Sequence, residues 1–172
     1  TPPVMGASAF VMAELLGDVG SEPVDILVET GGGFTDATEA LISLIQNTVS
    51  DFRVIVANGA KSNGTLLALA ANSIVMGVSS ELGPIEPLVG GLPCSILEQA
   101  EVAKNNYPLH MMGKYALQQT RSLARKLLSS GMMKGAGDTK VDQTVQALSS
   151  RTTYFSHGSV INYKEATDLG LK

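Results

Sequence analysis

The sequence predicts an α/β protein built on a parallel sheet flanked by helices. Two observations carry this. β-branched apolar runs end in glycine turns, and a segment of helical period follows each of them. A third is the spacing. Two such strand–turn–helix units lie about 30 residues apart, the length of one βαβ crossover. Alternation of this kind with short connections implies right-handed crossovers. The 172 residues read as one domain, 1–172, long enough to bury a core.

The elements follow in order. Residues 7–19 read as a helix, with Phe10, Met12, Leu15 and Leu16 at helical spacing. Residues 24–30 form a β-branched strand that ends in Gly31-Gly32-Gly33. A helix over about 36–49 buries Ala40, Leu41, Leu44, Ile45 and Val49, with Thr35 or Asp36 as its cap. Residues 53–57 are the second strand, and Asn58-Gly59-Ala60-Lys61 the turn after it. Leu66 to Ala71 is apolar enough to be a helix buried all round. Residues 73–77 are a third strand, and 81–87 a short extended segment with proline stops. Helices over about 95–105 and 109–129 are separated by Asn105-Asn106-Tyr107-Pro108. A further helix covers about 139–149, and a short one from Tyr163 to Leu169 ends at Gly170. The stretch from Gly131 to Gly137 reads as a mobile loop, and there is no internal repeat.

Composition narrows the function. Hydrophobic residues are 44% of the chain, charged residues 16%, and the net charge is −4. This suits a folded protein that also buries surface against copies of itself. It offers no basic patch for nucleic acid. Cys94 is the single cysteine, so neither an internal disulfide nor a cysteine zinc site is available. Two histidines far apart make no metal site. No cofactor is implied. No apolar run approaches the length of a membrane span, and the expected location is either the cytoplasm or a membrane surface. Association with a membrane would need a segment preceding Thr1.

Two turns can carry chemistry. A glycine turn between strand and helix, here Gly31-Gly32-Gly33, frees backbone N–H groups that bind a phosphate or an oxyanion. The pattern is neither a dinucleotide fingerprint nor a P-loop: Asp36 holds the place of the last glycine, and the lysine is absent. In Ala60-Lys61-Ser62-Asn63-Gly64-Thr65 a serine stands where strand becomes helix. Ser62 reads there as a helix cap or as a nucleophile on a sharp turn. In one parallel sheet both turns face a common crevice at the carboxyl ends of the strands. The amides of Gly32 and Asn63 then converge on one oxygen, which suits acyl transfer.

Three blocks together resemble the serine dehydrogenase proteinase family: Gly31 to Ala37, Ala60 to Ala71, and Leu82-Gly83-Pro84-Ile85-Glu86-Pro87. The tail Phe155-Ser156-His157-Gly158, with Glu165-Ala166 and Leu169-Gly170-Leu171, is similar to that family's C-terminal pattern. The family is related to signal peptide peptidase A, the membrane stomatin-cleaving proteases and the Clp proteolytic subunit. The resemblance implies a Clp/crotonase fold, peptide-bond hydrolysis through an acyl-enzyme, and ring-like or layered homo-oligomers acting on peptide or protein substrates. It implies Ser62 as nucleophile, with the Gly32 and Asn63 amides as oxyanion hole.

A serine hydroxyl needs a base. The Clp subunit places a histidine on the strand after its nucleophile helix, and Gly83 to Pro87 contains none. A Ser–Lys pair is therefore the expectation. Lys114, on the 109–129 helix, is the first candidate, and Lys104 the alternative. His110 and His157 read as structural or exposed, although His157 falls in the motif-like tail. Two further readings stay open: a catalytically silent assembly scaffold, and a crotonase-type acyl-CoA enzyme.

Overall fold

A computed structural model describes residues 2–17, 19 and 22–172. Its first helix, α1, is Gly6–Leu16. The expected continuation to residue 19 passes through position 18, outside the described residues. The sheet is made of β1 (Val24–Thr30), β2 (Phe52–Ala60), β3 (Ser73–Met76) and β4 (Glu81–Leu82). All its pairings are parallel. β1 lies on one edge of β2, and β3 then β4 follow each other along the other edge.

The crossovers are α2 (Thr35–Thr48) and α3 (Asn63–Leu69). Burial alternates along β1, with Ile26, Val28 and Thr30 turned to the core. Val54 and Val56 continue that inner layer on β2, against Leu41, Ile42 and Ile45 of α2. Every residue of α3 is buried, as an apolar helix between sheet and outer helices must be. The opposite sheet face carries a row formed by Leu27, Ile55 and Val75, with Leu27 70% and Val75 42% exposed.

Several boundaries differ from expectation. Asn58-Gly59-Ala60 does not turn. It stays in β2, because Gly59 and Ala60 pair with Glu81 and Leu82. α3 starts at Asn63, immediately after the serine, rather than at Leu66. Residues 88–93 form a hairpin of β5 (Leu88–Val89) and β6 (Leu92–Pro93). Gly90 and Gly91, both at positive φ, supply its two-residue turn. The expected 95–105 helix is two short ones, α4 (Cys94–Leu97) and α5 (Ala100–Asn105). The long helix α6 runs Tyr107–Ser130. Pro108 sits in its first turn, where no N–H is needed, and the Asn106 side chain caps it by accepting from Leu109 N–H at 3.1 Å.

α7 (Asp138–Leu148) and α8 (Tyr163–Asp168) complete the chain. Between them the backbone returns to the sheet. Leu82 and Ile161 exchange both backbone hydrogen bonds, at 2.9 and 3.0 Å. That single bridge brings the residues before Ile161 to the carboxyl end of β2. Among the described residues, no helix is long and apolar enough to cross a membrane.

Candidate active site

The first turn is fixed by Thr30 and by Val4. Thr30 Oγ1 accepts from Gly32 N–H at 3.2 Å and donates to the carbonyl of Pro2 at 2.9 Å. Val4 N–H donates to Gly32 O, and Phe34 N–H donates to Val4 O. This parallel bridge turns Gly33's own N–H and carbonyl to the other side, away from Val4. Gly33 must be glycine, since a Cβ would fall inside the Val4 backbone.

The second turn carries Ser62. Its φ of +52° is the only positive value among the described non-glycine residues. Such a conformation costs about 1–3 kcal/mol and persists where the surroundings enforce it. Two close approaches enforce it here. Gly32, at φ +119°, lies so near that a Cβ on it would come within 2.9 Å of Ser62 Cβ. Gly64 lets α3 settle on β1, where a Cβ would stand 2.5 Å from Thr30 Cγ2. The Ser62 hydroxyl caps nothing. It stands half-buried with no hydrogen-bond partner among the described residues, immediately before the helix it heads.

Asn63 joins the two turns. Its Nδ2 donates to the carbonyl of Gly33 at 2.7 Å, while Oδ1 is buried without a partner among the described residues. The Asn63 amide is the first of α3 and has no intrahelical acceptor. The Gly33 N–H, turned away from Val4, and the Asn63 N–H are the backbone donors that belong to residues lining the same cavity as Ser62. Gly32, the donor expected from the sequence, spends its N–H on Thr30. Gly33, Ser62 and Asn63 line one cavity of about 170 Å³, together with Gly31, Thr35, Pro87, Leu88 and His157.

The lysines expected from the sequence do not line this cavity. Lys114 is exposed on α6 and does not line the cavity. The buried row of that helix passes through Gly113, Leu117, Thr120 and Ala124, and residue 114 stands one step of about 100° off it. Lys104 is exposed too, paired with Glu101 at 3.2 Å. His110 places Nδ1 2.8 Å from the carbonyl of Leu97, a structural contact.

His157 is the titratable side chain in the cavity wall. Its Nδ1 is buried without a well-formed hydrogen bond among the described residues. Burial pushes its pKa below the ordinary histidine value. The Glu86 charge and backbone push it up, and Arg151 pushes it down. Glu86 is itself 2% exposed and fully engaged: Oε1 accepts from Ser95 N–H at 2.9 Å, and Oε2 from Arg151 at 3.3 Å. Cys94, the other potential nucleophile, is buried. Burial, with the Glu86 and Glu98 charges, pushes its thiol up to about 11, so it stays protonated.

Sequence reasoning read His157 as structural or exposed, and singled out neither Glu86 nor Lys61 as a site residue. A usable signal existed for one of them: Phe155-Ser156-His157 stands just before a segment that must return to the sheet. The arrangement as a whole offers an unpaired hydroxyl, an imidazole whose pKa burial lowers, and backbone amides in one cavity wall.

Comparison with known proteins agrees with this architecture. The family described as ClpP-like SDH-type serine proteinase matches residues 14–172. Two uncharacterized proteins of Methanocaldococcus jannaschii are similar, one 26% identical over 156 residues and the other 29% over 157. Each alignment covers 87% of this chain, and 51% and 53% of the respective relative, so the chain spans about half their length. A ClpP1 variant from Listeria monocytogenes shares the fold, with a TM-score of 0.63 at 12% identity over 98% of this chain and 83% of that one.

Proposed function

Since the chain belongs to the ClpP-like SDH-type serine proteinase family, we propose that it hydrolyses peptide bonds, with Ser62 as nucleophile and His157 as general base. One observation carries the reading. A serine held at φ +52° at the head of α3, its hydroxyl unbonded, shares a cavity wall with a half-buried imidazole.

The chemistry follows from those positions. The Ser62 oxygen attacks the scissile carbonyl while His157 takes its proton. The carbonyl oxygen becomes an oxyanion and accepts from the Gly33 and Asn63 amides, near the positive end of α3. His157 returns the proton to the leaving amine, and an acyl-enzyme remains. Water, deprotonated by His157, attacks the ester and regenerates Ser62. Glu86 acts through its charge, which favours the imidazolium that forms transiently. His157 replaces the expected lysine here because Lys114 and Lys104 point to solvent. Substrates are peptides or extended protein segments. Self-association belongs to the same reading, since the Leu27–Ile55–Val75 row is an apolar stripe that a second copy would cover.

A fluorophosphonate probe tests the nucleophile. Labelling of the parent at Ser62, lost together with peptide cleavage in Ser62→Ala, is the expected result, with a fall in rate of about 10³-fold or more. A folded parent that the probe leaves unlabelled favours the scaffold reading instead.

A further inference from the structure

We infer that Lys61 is the residue that positions His157 against Ser62. This rests on the reading of His157 as base. Lys61 precedes the nucleophile, and Gly158 follows the imidazole. A bond between positions 61 and 158 therefore fixes 62 relative to 157, although some 97 residues separate them in the chain.

The lysine is built for that bond. Its backbone is tied twice: N–H donates to Thr30 O at 3.0 Å, and its carbonyl accepts from Gly64 at 2.7 Å. Its stem lies on Gly83, where a Cβ would come within 2.6 Å of Lys61 Cδ. Its ammonium, with the side chain only 17% exposed, reaches Glu81 Oε1 at 2.8 Å, Ser159 O at 3.2 Å and Gly158 O at 3.4 Å. Three acceptors meet the three donors of an ammonium, and none of them is the serine hydroxyl.

The loop depends on this contact. Its other ties are the turn from Ser156 to Ser159, the contact of the His157 ring with the Glu86 backbone and the bridge at Ile161. None of these joins it to the Ser62 turn. The Gly158 and Ser159 carbonyls would otherwise be left to water, and the ammonium would be a half-buried charge with one partner. Glu81 neutralises the lysine, so the cluster holds the loop without placing an uncompensated cation beside the imidazole.

The test is Lys61→Met, which keeps the stem and removes the ammonium. Lys61→Gln is the second variant should the first not fold. Displacement of a base by about 1 Å costs on the order of 10²-fold, so kcat should fall about 10- to 100-fold with KM within about 3-fold. The His157→Ala background separates positioning from general damage: there the same substitution should leave the residual probe-labelling rate unchanged. Amide exchange at Gly158–Ile161 should quicken in Lys61→Met, a readout that needs no activity. An unchanged kcat, an equal fractional loss in both backgrounds, or an unaltered loop overturns the inference. A parent that neither cleaves nor labels overturns the peptidase reading instead, and loop exchange then still decides whether Lys61 holds the loop.

Discussion

Ser62 stands at the head of a helix in which every residue is buried. His157 hangs from a loop in which Phe155, Ser156, Gly158 and Val160 are exposed. The serine side of the site is held by backbone shape: a strained φ, two glycines pressed against neighbours, and the end of β2. The histidine side is held by a few polar ties, the Leu82–Ile161 bridge and the Lys61 contacts. Packing and polar tethering fail differently. A defect in the first should cost stability along with activity, since the same contacts build the core. A defect in the second should cost activity with the fold nearly intact, since exposed loops contribute little to global stability.

The largest effect expected is on the tethered side. His157→Ala should lower kcat/KM by about 10²–10⁴-fold, the range that a positioned base supplies. Unfolding free energy should change by no more than about 1 kcal/mol, because the lost ring is half-buried and its Nδ1 makes no well-formed hydrogen bond among the described residues. Steady-state kinetics beside a thermal melt measures both. A melt that drops steeply while activity survives would mean that His157 is a packing residue and that the contrast between the two sides is false.

The packed side should behave in the opposite way. Gly64→Ala puts a methyl 2.5 Å from Thr30 Cγ2 and 3.5 Å from Ala60 Cβ, both in the sheet beneath α3. Overpacking of this kind costs about 1–3 kcal/mol. For a chain of this size that is a fall in Tm of about 2–4 °C per kcal/mol. Probe labelling should fall with it, because α3 can relieve the clash only by carrying Ser62 and Asn63 away from Gly33. An unshifted melt would show that α3 is not seated on β1 as described.

The same contrast governs what was legible beforehand. The parallel sheet, the glycine turn and the serine at a helix start are local patterns, and each is written within about ten residues. Which glycine amide is free is not local. It depends on Thr30 Oγ1 accepting from Gly32 and on Val4 pairing across the turn, and the proposed donor therefore moves from Gly32 to Gly33. Lys114 is eligible by its place on the 109–129 helix, while helical phase sets it one step from the buried row. The Gly90-Gly91 hairpin carried its dipeptide signal and was missed beside the proline stops. His157 stands in the cavity wall on a loop that Ile161 joins to Leu82, a contact that strand patterning does not encode.

The smallest effect is a movement along the pH axis. A general base works in its neutral form, so activity should fall as pH drops through the folded-state pKa of His157. Burial depresses that pKa. The acid limb of kcat/KM should therefore lie below about 6.5, the ordinary histidine value. The linked stability has the same sign. The unfolded chain takes up the proton first, so this group's contribution is complete above the unfolded pKa and is lost as pH falls toward the folded one. Two neighbours pull the limb in opposite directions. Glu86→Gln deletes a negative charge and leaves Arg151 uncompensated, and both changes disfavour the imidazolium, so the limb should move to lower pH. Arg151→Gln removes a positive charge and should move it to higher pH. Since neither residue lines the cavity, parallel shifts in the two variants, or a limb above the ordinary value, would mean that the titrating base is some group other than His157.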